Sequence, residues 1–180
     1  GSVVINNTPA GAASALTFGP DTNYAAGTTP FRLAAGDMDG DCDIDIVTSN
    51  NGVVSILRNQ NGTGVLLAPL SYSTGLASTF QRGLALGDVD GDGDLDVVVS
   101  ETNADDIAVL RNTNGLGALG AGTVYAAGIG DSPEDLRLLD MDGDHDLDLV
   151  IVNSAPQNQI QVMRNNVSGA AHYHRVANFE

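Results

Sequence analysis

Five aspartates on alternate residues recur in three stretches of this chain: DMDGDCDID from Asp37 to Asp45, DVDGDGDLD from Asp88 to Asp96, and DMDGDHDLD from Asp140 to Asp148. Carboxylates packed this densely repel one another unless a hard cation sits among them, and oxygen-only ligands on a short acidic loop suit calcium. Counted from the first aspartate, positions one, three, five and nine would bind by side chain and position seven by its backbone carbonyl. The first loop then offers Asp37, Asp39, Asp41 and Asp45, with Asp43 at position seven. The second offers Asp88, Asp90, Asp92 and Asp96, with Asp94, and the third Asp140, Asp142, Asp144 and Asp148, with Asp146. Glycine at position four (Gly40, Gly91, Gly143) lets the backbone curl round the ion. Magnesium prefers a small octahedral shell and keeps its waters, so three Ca2+ sites are expected.

An EF-hand is excluded by what flanks these loops. That motif needs glycine at position six, a bidentate glutamate at position twelve and a helix on either side. Here position twelve is Thr48, Val99 or Ile151, and the residues after each loop read as strands. The ligand set is EF-hand-like but carried on a β-hairpin. A merely solvated acidic turn would have no need of one two-residue spacing three times over. The loops begin 51 and 52 residues apart, a period that signals a repeat architecture.

Each loop is followed by an apolar run, then by a strand ending in Leu-Arg-Asn or Met-Arg-Asn; Tyr-x-x-Gly precedes the next unit. In these features the unit resembles the FG-GAP/VCBS repeat of integrin α-subunit-like β-propellers, and the resemblance covers nearly the whole chain. It implies blades with a calcium loop between the first and second strands. One departure is that no complete unit opens on a clear Phe-Gly, although Thr17-Phe18-Gly19 comes near it.

Positioning such loops requires strands. The first complete unit reads as strand A over 31–35, strand B over 46–49, an Asn50-Asn51-Gly52 turn, strand C over 53–58 and strand D over 65–72. The second repeats this with strand D over 119–125; the third ends less distinctly, over 171–176. Strands B are nearly all apolar, which implies burial on both faces, as in a sheet stacked between two others. The expected fold is all-β, four-stranded antiparallel propeller blades. It comprises a partial leading blade over 1–27 (strands C and D) and blades over 28–75, 76–128 and 129–180. About three and a half blades should not close a ring. The chain is therefore expected to be part of a longer propeller or to associate head to tail through exposed blade faces.

Composition narrows the partners. A formal charge of −16, with no lysine and seven arginines, excludes nucleic acid, which needs clustered positive charge. Fifteen of the 23 acidic residues lie in the three loops, so three calcium ions would bring the charge to −10. There is no apolar run of membrane length, so membrane insertion is not expected. Cys42 is the sole cysteine and forms no intrachain disulfide. Loops of this kind suit the millimolar calcium outside cells, pointing to a secreted or cell-surface location.

Other residues invite weaker readings. Arg58, Arg111 and Arg164, each 53 residues from the last, are expected to make structural hydrogen bonds between neighbouring blades. His172-Tyr173-His174 reads as a strand end rather than a metal pair, and His145 should face water. Asn6, Asn61 and Asn166 stand in glycosylation-type triplets that turn chemistry explains better.

The leading functional reading is a non-catalytic, calcium-binding adhesion or interaction module. Its protein or glycan ligand would dock on the face opposite the metal loops, formed by Thr28, Thr29, Asn50, Asn51, Thr79, Gln81, Thr102, Asn103, Asp131, Glu134, Gln157 and Asn158. The alternative is a carbohydrate-binding, lectin-like propeller, for which aromatic platforms are few. Less expected is an accessory segment of a polysaccharide-active enzyme, since the carboxylates are nearly all used by the loops and no nucleophile–base pair is readable.

Overall fold

A computed structural model describes residues 2–3, 5, 19–76, 80–128, 132–154, 156, 158–165 and 173–179, the last segment and Ser2 by backbone alone. These form an all-β array of propeller-type blades. Strands β1 (Ser2–Val3) and β2 (Thr22–Asn23) make a short antiparallel pair. The first full sheet runs β3 (Arg32–Gly36), β4 (Asp45–Ser49), β5 (Val53–Leu57), β6 (Leu70–Ser73). The second runs β7 (Gln81–Gly87), β8 (Asp96–Glu101), β9 (Asp106–Leu110), β10 (Thr123–Ala126). The third runs β11 (Pro133–Leu139), β12 (Asp148–Asn153), β13 (Ile160–Asn165), β14 (Tyr173–Phe179). In all three, sequence neighbours pair antiparallel. Among the described residues no helix is long and apolar enough to cross a membrane.

The sheets stack face to face. On β8, Val97 and Val99 join a cluster with Val47, Val54 and Ile56 of the first blade. Val98, pointing the opposite way, joins Leu136, Leu149 and Ile151 of the third. Strand alternation thus feeds both cores from one strand, which is why β8 carries valine at consecutive positions rather than every second one.

Close approach of the blades depends on glycine. A β-carbon on Gly36 would lie 2.6 Å from Leu95 Cδ1 in the next blade, and one on Gly87 would lie 2.8 Å from Leu147 Cδ1. The third blade has Leu139 at the corresponding position, and it is exposed.

The fourth strands of the first two blades are shorter than the sequence suggests. Of the run 65–72, only Leu70–Ser73 pairs as a strand; Leu66 makes one isolated bridge to Asn59, and Leu119 likewise to Asn112. Pairing begins beside the turn and then slips by one residue between Leu66 and Leu70, and likewise between Leu119 and Thr123, and the extra residue splits the run.

Buried and half-buried polar side chains stitch blade to blade at the end opposite the acidic loops. Thr48 Oγ1 donates to the Ala26 carbonyl at 2.9 Å, Ser49 Oγ to that of Gln81 at 3.3 Å, and Thr102 Oγ1 to that of Pro133 at 2.9 Å. Asn50 and Gln81, expected on an open ligand face, are fully buried instead. The Asn50 amide nitrogen donates to Ser55 Oγ at 3.2 Å, and the Gln81 amide lies among Asn50, Gly52, Val53 and Thr74, so both are structural.

Candidate metal centres

Each acidic nonapeptide joins strands A and B of its blade, with position nine already the first residue of strand B. Asp45 pairs with Gly36, Asp96 with Gly87 and Asp148 with Leu139 across the sheet. One end of every loop is therefore anchored in a rigid sheet.

The carboxylates divide the work of shaping the loop. Position one gathers backbone N–H groups from positions four and six: Asp37 accepts from Gly40 at 2.8 Å and Cys42 at 2.9 Å, Asp88 from Gly91 at 2.7 Å and Gly93 at 2.9 Å, Asp140 from Gly143 at 2.7 Å and His145 at 3.1 Å. Position five accepts from position seven: Asp41 from Asp43 at 2.9 Å, Asp92 from Asp94 at 3.0 Å and Asp144 from Asp146 at 3.0 Å. Position nine accepts from position two and from the asparagine that ends strand C. Asp96, for example, receives Val89 N–H at 3.0 Å and Asn112 N–H at 2.8 Å.

Backbone conformation explains the glycines. Position four is left-handed in all three loops, at φ +75° (Gly40), +77° (Gly91) and +83° (Gly143). Position six is left-handed as well: Cys42 at φ 70°, Gly93 at 94°, His145 at 75°. The EF-hand preference for glycine at six thus has a counterpart here, filled by glycine only once. His145 faces water as expected.

The carboxylate oxygens converge. Asp37, Asp39 and Asp41 in the first loop, Asp88, Asp90 and Asp96 in the second, and Asp140, Asp142 and Asp148 in the third each offer oxygens within 4.8 Å of one another, close enough for one ion. Position-seven side chains lie beside the glycine turn of the same blade: Asp43 Oδ1 is 2.5 Å from where a Gly62 β-carbon would stand, and Asp94 Oδ1 is 2.7 Å from that of Gly115.

Position three is the telling one. Its outer oxygen pairs with the repeated arginine of its own blade: Arg58–Asp39 at 3.4 Å, Arg111–Asp90 at 3.3 Å, Arg164–Asp142 at 3.1 Å. The expected link between blades belongs instead to the residue after the arginine. Asn112 Nδ2 donates to the Met38 carbonyl and Asn165 Nδ2 to the Val89 carbonyl, each at 2.8 Å. The other oxygens of Asp39 and Asp90 are buried without a hydrogen-bond partner, and the Asp90 side chain is only 7% exposed. A buried carboxylate oxygen left unpaired is costly, and a cation is the group that satisfies it.

The titration behaviour agrees. Burial pushes Asp96 up to about 6, against the N–H bonds from Asn112 and Val89, with further upward pressure from Asp90 and Asp92. Asp45 is raised too, first by burial. Asp140, on an open loop, is held low chiefly by the Gly143 N–H. The residues thus fit a hard divalent ion in oxygen ligation, the set that suits calcium.

On the opposite face, Thr28, Thr29, Asn51, Asn103 and Asn158 are exposed, and Thr102 and Glu134 half-buried. Thr79, Asp131, Gln157, His172, Asn6 and Asn166 lie outside the described residues, as do the side chains of 173–179. Phe31, expected only as the first residue of a strand A, and Phe80 each stand at the end of a D–A connection, just before strand A, and place their rings 6.0 Å apart on that face.

No curated protein matches the chain in sequence. The family profile described as FG-GAP-like repeat matches residues 37–99 and, overlapping them, 88–151.

Proposed function

The chain belongs to the FG-GAP-like repeat family, and on that premise we propose that it is a calcium-stabilised, non-catalytic interaction module that works outside the cell. The observation that carries this reading is the buried, unpartnered oxygen of Asp90 in a loop whose carboxylates converge within 4.8 Å. Asp88, Asp90 and Asp96 would hold the ion in the second loop, with their counterparts in the other two. When bound, calcium supplies charge neutralisation and oxygen ligation. The chain's own residues do the rest, as position one folds the backbone, arginine orients position three and position nine ties the loop to its sheet.

A protein or glycan partner would dock on the opposite face, where Thr28, Thr29, Asn51, Asn103 and Asn158 are exposed and the Phe31 and Phe80 rings meet. An aromatic step among polar, hydrogen-bonding rims is the composition recognition surfaces favour. Self-association would use the exposed face of the third blade, with Leu139, Val152 and Ile160.

Calorimetric titration of metal-free protein with calcium, followed by thermal unfolding with and without the ion, tests the proposal. Binding of three ions and a rise in Tm are expected, because a ligand held only by the folded state stabilises it by mass action. No heat of binding together with an unchanged Tm would sink it.

A further inference from the structure

The asparagine after each repeated arginine does two things at once. The Asn112 backbone N–H donates to Asp96 Oδ1 of its own loop at 2.8 Å, while its side chain donates to the Met38 carbonyl of the preceding loop at 2.8 Å. Asn165 does the same, to Asp148 at 2.9 Å and to Val89 at 2.8 Å. Met38 and Val89 occupy position two, and their own N–H groups donate to Asp45 at 3.1 Å and Asp96 at 3.0 Å. The position-two residue is thus fixed at both its N–H and its carbonyl, the first by its own loop and the second by the next blade. The result is an unbroken hydrogen-bonded line from Asp45 through Asn112 and Asp96 to Asn165 and Asp148.

A second contact runs beside the first. Gly40 of the first loop lies under the Gly115 carbonyl, 3.3 Å from where a β-carbon would stand, and Gly115 rests against Asp94 of the second loop. The Tyr72 hydroxyl holds this strap by donating to the Gly117 carbonyl at 3.0 Å. The Asp45, Asp96, Asp148, Asn112 and Asn165 side chains of the first line are buried and the Tyr72 and Asp94 side chains of the strap half-buried, so a change in one loop's shape is transmitted rather than absorbed.

We infer that the three loops fill cooperatively, with Asn112 coupling the first to the second and Asn165 the second to the third. This rests on the calcium reading above. Setting position nine around an ion fixes the N–H of the coupling asparagine, whose side chain then holds the preceding loop in its binding shape. By linkage the effect is reciprocal. Asn112 and Asn165 are positioning residues, contributing no ligand atom. Neutralising a neighbouring acidic loop would also raise affinity, but that effect is screened by salt and indifferent to an asparagine side chain.

The test follows the Gly40, Gly91 and Gly143 amide resonances of the full chain, one per loop, through a calcium chloride titration in 0.3 M potassium chloride. In the unaltered protein the three curves should steepen together beyond independent binding. Asn112→Ala, which keeps every ligand and the backbone N–H, should weaken the first loop by about 5-fold or more, the lower end of usual coupling. Asp88→Asn, which disables the second loop, should weaken the first by a similar factor, and the two changes combined should cost no more than either. If Asn112→Ala does not fold, the Asp88→Asn comparison and the unaltered curves decide. Three independent curves, or a first loop indifferent to Asp88→Asn, overturn the coupling while leaving the calcium reading standing. No movement of any glycine resonance overturns both.

Discussion

Arg111 holds one carboxylate oxygen of Asp90 at 3.3 Å and leaves the other turned into the second acidic loop, buried and unpaired. The arginine is partly exposed, so the ion pair adds under about 1 kcal/mol to stability. Its consequence is orientation. Asp90→Asn should therefore leave metal-free stability unchanged, or raise it by less than about 1 kcal/mol, because one repelling charge has gone. In calcium the same variant should lose more than tenfold affinity at the second loop. Urea unfolding in both conditions checks this; equal destabilisation in each would refute it.

Position six offers the opposite kind of change. An L-residue in the left-handed region costs about 1–2 kcal/mol, and Cys42 and His145 both sit there. Cys42→Gly and His145→Gly should each stabilise the chain by about 0.5–1 kcal/mol, the greater freedom of glycine in the unfolded chain offsetting part of the gain. Gly93→Ala should destabilise by about 1 kcal/mol, although open space surrounds the new methyl group, because Gly93 has φ +94°. Thermal unfolding of the three variants decides, and a stabilising Gly93→Ala would contradict it.

Packing of the outer strands sets a sharper limit. A β-carbon on Gly122 would stand 2.1 Å from the Thr74 carbonyl oxygen, a backbone atom of the preceding blade with no rotamer to adopt. Gly122→Ala should destabilise by about 1–3 kcal/mol as the two blades are forced apart. Denaturant midpoints measure this; an unchanged midpoint would show that the blades meet elsewhere.

Acid titration of the metal-free protein should run against the usual direction for aspartate. Folding raises Asp96 from the ordinary 3.8 to about 6, so between those values the folded state holds the extra proton. The stabilisation is whole below the unfolded value and is lost as pH rises through about 6. Relative to Asp96→Asn, metal-free protein should therefore lose stability from pH 4 to pH 6. Calcium binds the carboxylate form and should abolish that loss. Urea midpoints across this range, in metal-free and calcium buffers, provide the check.

Much of this architecture was legible because one unit is written three times. The spacing of Asp37 through Asp45 gave the loop, and the unbroken valines of β8 gave a blade buried on both sides. What escaped lies between repeats. Nothing local says that Asn112 reaches Met38, 74 positions away in sequence, while Arg111 stays within its own blade. Asn50 and Gln81 read as loop residues by their polarity, yet close packing at the blade end encloses them with enough partners for burial to be tolerated. Position six shows the converse, since cysteine and histidine conceal a backbone requirement that only Gly93 reveals.

Gly36 and Gly87 leave bare backbone where the leucine of the following loop settles, and Leu139 fills the same place with a side chain. The packing that sets the second blade on the first, and the third on the second, therefore cannot be repeated unchanged at the third blade's outer face. Whatever meets that face must stand off by roughly a leucine's breadth or tilt away, so the third blade interrupts the close spacing of the stack.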